Sequence, residues 1–118
     1  MNQDPILTVV FFQAESGREP VRDWLKDLSK EDRKLIGEKV KLVQFRWPLG
    51  MPHVRKLEAN LWEVRVRLSV GRIARLFFTI HDHEMALLHG FIKKSQKTPA
   101  SDLKLAKSRR DLWKDGWQ

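Results

Sequence analysis

The chain has 118 residues, of which 42% are hydrophobic and 32% charged, and this predicts one globular domain, residues 1–118, with a single modest core. The absence of cysteine excludes disulfide bonds, thiol catalysis and thiolate metal sites, and no apolar run approaches the length of a membrane span. Because the first residues also lack the pattern of a secretory signal, we expect a cytoplasmic protein.

The net charge of +8 is concentrated in the second half of the chain. Residues 1–52 contain nine Lys and Arg against eight Asp and Glu, whereas residues 53–118 contain fourteen against seven, together with all four His. This asymmetry predicts that the second half binds a polyanionic partner. Charge alone leaves open whether that partner is RNA, DNA or an acidic protein.

The first predicted elements are a strand and two helices. Residues 6–12 are apolar on both faces, which is typical of an inner strand. Ser16 and Glu19 fit the capping box that begins a helix, and Ser29 begins a second helix that a proline and a glycine end. These two amphipathic helices predict a hairpin over residues 17–46 that lies across a sheet.

After a short basic strand, the alternation of residues 61–80 predicts a β-hairpin with one apolar face and one arginine face. A three-residue turn places Arg65 directly opposite Arg75. Arg67 and the single acidic residue Glu63 lie on the same face. Like charges opposite each other on a sheet are destabilising, so this face is expected to bind an external anion. The alternative is a solvated face whose arginines lie over apolar neighbours or pair with acids elsewhere.

The last predicted strand covers residues 85–92, and a four-residue turn before it sets Gly90 beside Arg75, where it leaves space next to the guanidinium. The loop after this strand brings three lysines close to the arginine face, Lys93, Lys94 and Lys97. Thr98 as N-cap and Pro99 as first helical residue predict a closing helix at the edge of the sheet. The elements follow the order β-α-α-β-β-β-β-α, which indicates an α+β domain.

Together the basic residues predict a cationic surface without a carboxylate pair that could hold magnesium. Such a surface suits metal-free cleavage of RNA, in which the substrate's own 2′-hydroxyl attacks the adjacent phosphorus. Arginine forks would bind the phosphate oxygens, and His53, at the start of the short basic strand, is a candidate for proton transfer. The sequence contains neither a glycine-rich phosphate loop nor a serine in a nucleophile elbow.

A metal site is a weaker alternative. His81 and His83 are close together in a predicted turn, and His89 is a third candidate ligand. Sites made of imidazole alone are rare, whereas polar turn residues are common. His89 also alternates with apolar neighbours, as a core histidine would, so we expect neither a metal nor a cofactor.

Four segments carry a resemblance to a known family. The chain resembles the HigB-like toxins of the RelE/ParE superfamily, and in particular their phage-derived HigB branch, in the segments Lys56-Leu57, Leu61-Trp62-Glu63-Val64-Arg65, Arg72-Ile-Ala-Arg75-Leu-Phe-Phe and Leu88-His-Gly-Phe-Ile-Lys-Lys-Ser-Gln-Lys-Thr-Pro99. The last of these is the most specific.

The resemblance implies a RelE-like fold, in which a twisted antiparallel sheet carries an N-terminal helical hairpin and a C-terminal helix. It also implies a type II toxin, an endoribonuclease that cleaves mRNA on the ribosome and is silenced by a HigA-like helix-turn-helix antitoxin. The candidate catalytic residues are Arg65, Arg67, Arg75, Lys93 and His53. The candidate substrate-binding residues are Lys56, Arg72, His89, Phe91, Lys94 and Lys97.

Several RelE-type enzymes place a tyrosine near the C-terminus, but this chain contains none. Phe91 can stack on a base but cannot transfer a proton. The general base is therefore open among four residues: His53, Lys56, His89 and Lys93.

Two other functions remain. A ParE-like toxin binds gyrase without catalysis, although its relatives generally lack the cationic set found here. A basic DNA-binding protein is the second alternative, but the two N-terminal helices carry almost no net positive charge, which a recognition helix needs.

Overall fold

This computed structural model describes residues 4–93 and 99–116, with Lys93 described through its backbone only. Its helices and strands are β1 (Thr8–Phe11), α1 (Pro20–Lys26), α2 (Lys30–Arg46), β2 (Val54–Glu58), β3 (Leu61–Arg67), β4 (Ile73–His81), β5 (Glu84–Lys93) and α3 (Ala100–Asp115). The predicted α+β class is confirmed. No helix of the described residues is long and apolar enough to cross a membrane.

The five strands form one mixed sheet in the order β1-β5-β4-β3-β2. β1 runs parallel to β5, and the other three pairs are antiparallel. The prediction of a wholly antiparallel sheet was therefore wrong, and so was the inner position of β1, which is an edge strand. β1 is apolar on both sides because helices cover both faces of the sheet.

The predicted register of the arginine hairpin is confirmed. Arg65 pairs with Arg75, and Arg67 pairs with Ile73. The turn between β3 and β4 closes through a bond from the Leu68 N–H to the Arg72 carbonyl, 2.9 Å.

Two hydrophobic clusters lie on opposite faces of the sheet. The first lies under α1 and α2 and includes Val43, Val64, Leu76 and Phe78. The second lies under α3 and includes Leu61, Phe77, Leu88 and Ala106. Thus α3 covers the second face instead of packing at the sheet edge as predicted. The face expected to be open is in large part a second core.

The position of Gly90 differs from the prediction. The β4–β5 turn has two residues, with φ of 53° at Asp82 and 68° at His83, and a bulge at Phe77/Phe78 shifts the later register. Gly90 therefore pairs with Leu76, and a Cβ built on it would lie 2.5 Å from the Trp24 ring. The missing side chain makes room for a tryptophan of α1, and Arg75 is on the other face.

The helix starts were predicted with mixed success. Ser29 caps α2, because its hydroxyl accepts a bond from the Asp32 N–H at 3.1 Å. The capping box at Ser16 is wrong, since the N-cap of α1 is Glu19. Pro99 is the N-cap of α3, not its first residue. Thr98 lies outside the described residues.

On the face under α1 and α2, Leu76 and Phe78 are fully buried, whereas Trp24 and Trp62 are half-buried. The Trp62 ring stacks on Phe78, with ring centres 5.9 Å apart, and meets the edge of Trp47. Trp62 therefore closes the rim of the core.

Candidate functional site

A cleft opens just before the start of β2, where the last part of β3 lies beside α2. The pairing of β2 with β3 begins at Val54, and the Arg65 N–H still donates to the His53 carbonyl at 3.1 Å. The cleft has a volume of about 700 Å³. Its lining combines aliphatic and charged residues: Leu35, Glu38, Lys39, Leu42, Pro52, His53, Arg65, Val66, Arg67 and Ile73.

Three of the predicted catalytic residues line this cleft together. They are His53, Arg65 and Arg67. The Arg65 side chain is 26% exposed and its Nε lies 3.9 Å from Glu63 Oε1, whereas Arg67 is exposed. The strand alternation places both guanidinium groups on the same face of β3. Both arginines line the cleft, and guanidinium groups are well suited to binding anions.

Lys39 is a residue of the cleft that sequence reasoning missed. Its Nζ lies 2.9 Å from His53 Nδ1. A lysine ammonium can only donate, so Nδ1 is the acceptor and the neutral imidazole carries its proton on Nε2. Lys39 adjoins the apolar stripe of α2, but only the position of His53 after folding shows that the two meet.

Arg75 is not part of the open site. It is 1% exposed, and its Nη1 donates to the buried carboxylate of Glu63 at 2.9 Å. The prediction that Arg75 faces an external phosphate beside Arg65 is therefore wrong in its premise of exposure. A buried guanidinium requires a paired anion, and Glu63 supplies it from the neighbouring strand.

Two predicted substrate-binding residues also have protein partners. Arg72 donates to both carboxylate oxygens of Asp32, at 2.8 and 3.1 Å. These hydrogen bonds lower the pKa of Asp32 and raise the pKa of Arg72. Lys56 Nζ lies 5.9 Å from the centre of the Trp62 ring. Arg72 therefore ties β4 to the start of α2, which removes it from the set of free cations.

The aromatic and histidine candidates lie under α3. His89 Nε2 is 2.6 Å from Asp102 Oδ1, and its ring stacks on Phe91 with centres 5.5 Å apart. His81 instead meets the Trp113 ring. In the part of the chain that the structure describes, no group of three His, Asp or Glu residues could hold a metal ion. Neither His89 nor Phe91 lines the cleft.

The lysines after β5 are only partly described. The backbone of Lys93 pairs with Ile73, which pairs in turn with Arg67. The last residue of β5 is therefore at the same side of the sheet as the cleft, next to Ile73 and Arg67 in the strand pairing. The side chain of Lys93, and the whole of Lys94 and Lys97, lie outside the described residues.

The charges of the cleft favour an anionic ligand. Its lining contains Lys39, Arg65 and Arg67 against the single carboxylate Glu38. Its aliphatic walls, for example Leu35 and Leu42, can contact an apolar or aromatic part of the same ligand. The arrangement fits a molecule that carries both phosphate and a planar base.

Comparison with known proteins adds a family. Residues 23–111 match the family described as phage-derived protein Gp49-like (DUF891), and this segment contains all residues that line the cleft. The chain belongs to this family. The Gp49-like family is associated with RelE-type toxin–antitoxin proteins. No curated protein matches the sequence.

Proposed function

We propose that this Gp49-like protein is the toxin of a type II toxin–antitoxin pair and that the cleft beside α2 is a metal-independent endoribonuclease site acting on mRNA. The observation that supports this most strongly is the convergence of Lys39, His53, Arg65 and Arg67 on one cleft. The family association agrees with a toxin. Membership of the HigB branch and a RelE-like fold belong to the same proposal.

In this mechanism Arg65 and Arg67 bind the non-bridging oxygens of the scissile phosphate. The 2′-hydroxyl attacks phosphorus, so a bond to the 2′-oxygen forms as the bond to the 5′-oxygen breaks, giving a 2′,3′-cyclic phosphate and a 5′-hydroxyl. The arginines stabilise the charge that develops on the phosphoryl oxygens. DNA would bind but stay intact, because it lacks the 2′-hydroxyl.

His53 is the general acid of this proposal. Lys39 donates to Nδ1, so the Nε2 proton can pass to the departing 5′-oxygen as Nδ1 takes a proton from the Lys39 ammonium, which leaves the imidazole neutral and the amine of Lys39 uncharged. The proton of the 2′-hydroxyl goes to a separate base, for which Lys93 remains the candidate, since its backbone lies in the same row as Arg67. His89 and Lys56 are weaker candidates because neither lines the cleft.

The proposed partners are mRNA, the translating ribosome and a HigA-like helix-turn-helix antitoxin. The second half of the chain carries most of the positive charge, which suits a ribosomal RNA environment. Ribosome dependence is testable by comparing cleavage of free mRNA with cleavage of mRNA in translating complexes.

The decisive experiment is induced expression followed by mapping of cellular mRNA ends by primer extension. We expect growth arrest with new 5′ ends in coding regions. Arg65→Ala and Arg67→Ala should remain folded and lose about 10²-fold or more in single-turnover cleavage, as expected for one lost transition-state donor. Arg22→Ala is the matched control, because it removes one exposed charge from α1, away from the cleft.

The variant His53→Gln tests the proposed role of His53 as the general acid. Cleavage should fall with little change in RNA affinity, because an interaction made only in the transition state changes the rate alone. If the wild-type protein arrests growth while cellular mRNA stays intact, the nuclease proposal is wrong and the ParE-like gyrase-binding function takes its place.

A further inference from the structure

The free edge of β1 is a possible pairing site for another chain. β1 has a neighbouring strand on one side only. The Thr8 N–H donates to the carbonyl of His83, in the turn before β5, and the Phe12 N–H donates to the carbonyl of Leu87 in β5, so strand alternation directs the backbone of Val9 and Phe11 to the open edge. Natural edge strands are commonly blocked by lysine, proline or a bulge, and the sequence Thr-Val-Val-Phe of β1 contains none of these.

An apolar groove lies directly beside this edge. It has a volume of about 310 Å³, at the lower limit of ligand pockets, and the side chains of Val9 and Phe11 form one wall. Ile36 and Val40 of α2 form the other wall. The same two residues of β1 thus offer backbone hydrogen bonds at the edge and apolar side chains in the groove.

Gly37 lies in the α2 wall of the groove and contributes no side chain to it. It is exposed, and no atom lies within 4 Å of the position that a Cβ would take. A side chain at this position would project into the space that the groove leaves open. No internal contact requires a glycine at this position, so a large side chain could be accommodated there only by filling the groove.

The rim of the groove is positively charged. Arg33 is the one charged residue in its lining, and its Nη1 donates to the Lys26 carbonyl, a neutral acceptor. Among the described residues Arg33 forms no ion pair within 4 Å. A carboxylate on a molecule bound in the groove would form an ion pair with Arg33.

We propose that the groove and the β1 edge together bind an extended, acidic segment of a partner protein, which adds a strand to β1. Alternate apolar side chains of that strand fill the groove, and a carboxylate meets Arg33. A second copy of this chain is the less favourable occupant, because each copy carries a net charge of +8 and the two would repel.

This inference does not depend on the nuclease proposal. α2 separates the groove from the cleft, with Gly37 and Val40 lining the groove while Lys39 and Leu42 line the cleft. Substitutions in the groove should therefore change partner binding and leave RNA cleavage intact. Substitutions in the cleft should have the opposite effect.

The test uses two synthetic ten-residue peptides with valine at alternate positions, one with glutamate and one with lysine between the valines. We expect saturable binding of the glutamate peptide by fluorescence anisotropy and binding at least about tenfold weaker for the lysine peptide. In hydrogen exchange, the amides of Val9 and Phe11 should gain protection when the glutamate peptide binds.

Gly37→Phe should weaken binding at least about tenfold while the protein stays folded, because its side chain fills the groove. Gly37→Ala is the matched control and should bind as the wild type does. Absence of binding, equal binding of both peptides, or unchanged binding by Gly37→Phe overturns the proposal. A dimer in sedimentation that Gly37→Phe dissociates also overturns it, since the occupant would then be a second copy.

Discussion

At the scale of single residues, the arginine face divides into three environments along one side of the sheet. Arg75 is buried, Arg65 is partly exposed and Arg67 is exposed. Glu63 lies next to the first two, and its one carboxylate attracts both of the opposed guanidinium groups. The carboxylate of Glu63 therefore reduces the expected repulsion between Arg65 and Arg75 inside the protein. The exposed part of this face, at Arg65 and Arg67, is available to a ligand.

Removal of Arg75 should destabilise the fold. Arg75→Met leaves the carboxylate of Glu63 buried without its 2.9 Å partner and should lower the free energy of unfolding by about 3–5 kcal/mol. The double variant Glu63→Met/Arg75→Met should recover most of this loss, since both charges of the buried pair are then removed together. Urea denaturation measures all three proteins. Arg67→Met is the control and should change stability by less than about 0.5 kcal/mol.

Two glycines should respond to alanine in opposite directions. Gly90→Ala places a Cβ 2.5 Å from the Trp24 ring and should lower stability by about 1–3 kcal/mol. Gly37→Ala meets no neighbour and should raise stability by about 0.5–1 kcal/mol, because alanine is the better helix former. Thermal unfolding of both variants checks this prediction. Equal effects would contradict the position of Trp24 over Gly90.

At the scale of elements, two carboxylates join helices to strands. Asp32 connects α2 to Arg72, and Glu58 of β2 binds Lys107 and Arg110 of α3 at 2.9 and 2.7 Å. The hydrogen bonds from Arg110 and Lys107 lower the pKa of Glu58, as those from Arg72 lower the pKa of Asp32. One acid thus anchors α2 to the sheet and another anchors α3.

These shifts predict acid sensitivity. A carboxylate with a lowered folded-state pKa stabilises the fold fully above its ordinary value and loses this contribution as the pH falls through the lowered value. We therefore expect stability to decline below about pH 4. Asp32→Asn and Glu58→Gln should each be less stable at pH 7 and show a flatter decline, measured by urea denaturation at several pH values. An unchanged pH profile in both variants would contradict the anchoring role.

Prediction from sequence succeeded where the signal was local. The β3–β4 register followed from strict alternation and one short turn, and the cap at Ser29 followed from its side chain. It failed for β1, because its parallel pairing with β5 joins segments that are far apart in the sequence, and such pairing has no local sequence pattern. It also failed for Gly90, because a bulge changes the register without a distinctive residue.

The candidate site could likewise be predicted in part, because part of its sequence signal is local. Alternation placed Arg65 and Arg67 on one face, and the structure brings them to a cleft with His53. The burial of Arg75 could not be read from the strand, because it depends on where α3 packs. Lys39 could not be found because its partner is fourteen residues away on another element.

At the scale of the whole molecule, the sheet lies between two helical layers, so ligands reach it only at its margins. The cleft is at one margin and the β1 groove at another. The positive charge of the second half of the chain should attract RNA over some distance.

The affinity for single-stranded RNA should therefore fall steeply with salt. The logarithm of the affinity should decrease linearly with the logarithm of salt concentration, with a slope of about 0.7 for each neutralised phosphate. Arg67→Ala should reduce that slope by about 0.7, and Arg22→Ala should leave it unchanged. Fluorescence anisotropy titrations of a non-cleavable 2′-deoxy oligonucleotide at several salt concentrations measure this slope. An affinity independent of salt would contradict the cleft as an RNA site.

The position of α2 has one further thermodynamic consequence. This helix is a shared wall, since it supplies Lys39 to the cleft and Gly37 to the groove. If an occupant of the groove displaces α2, the width of the cleft also changes and the two binding equilibria become linked. Linkage is reciprocal: the factor by which a groove ligand changes RNA affinity equals the factor by which RNA changes the affinity for that ligand.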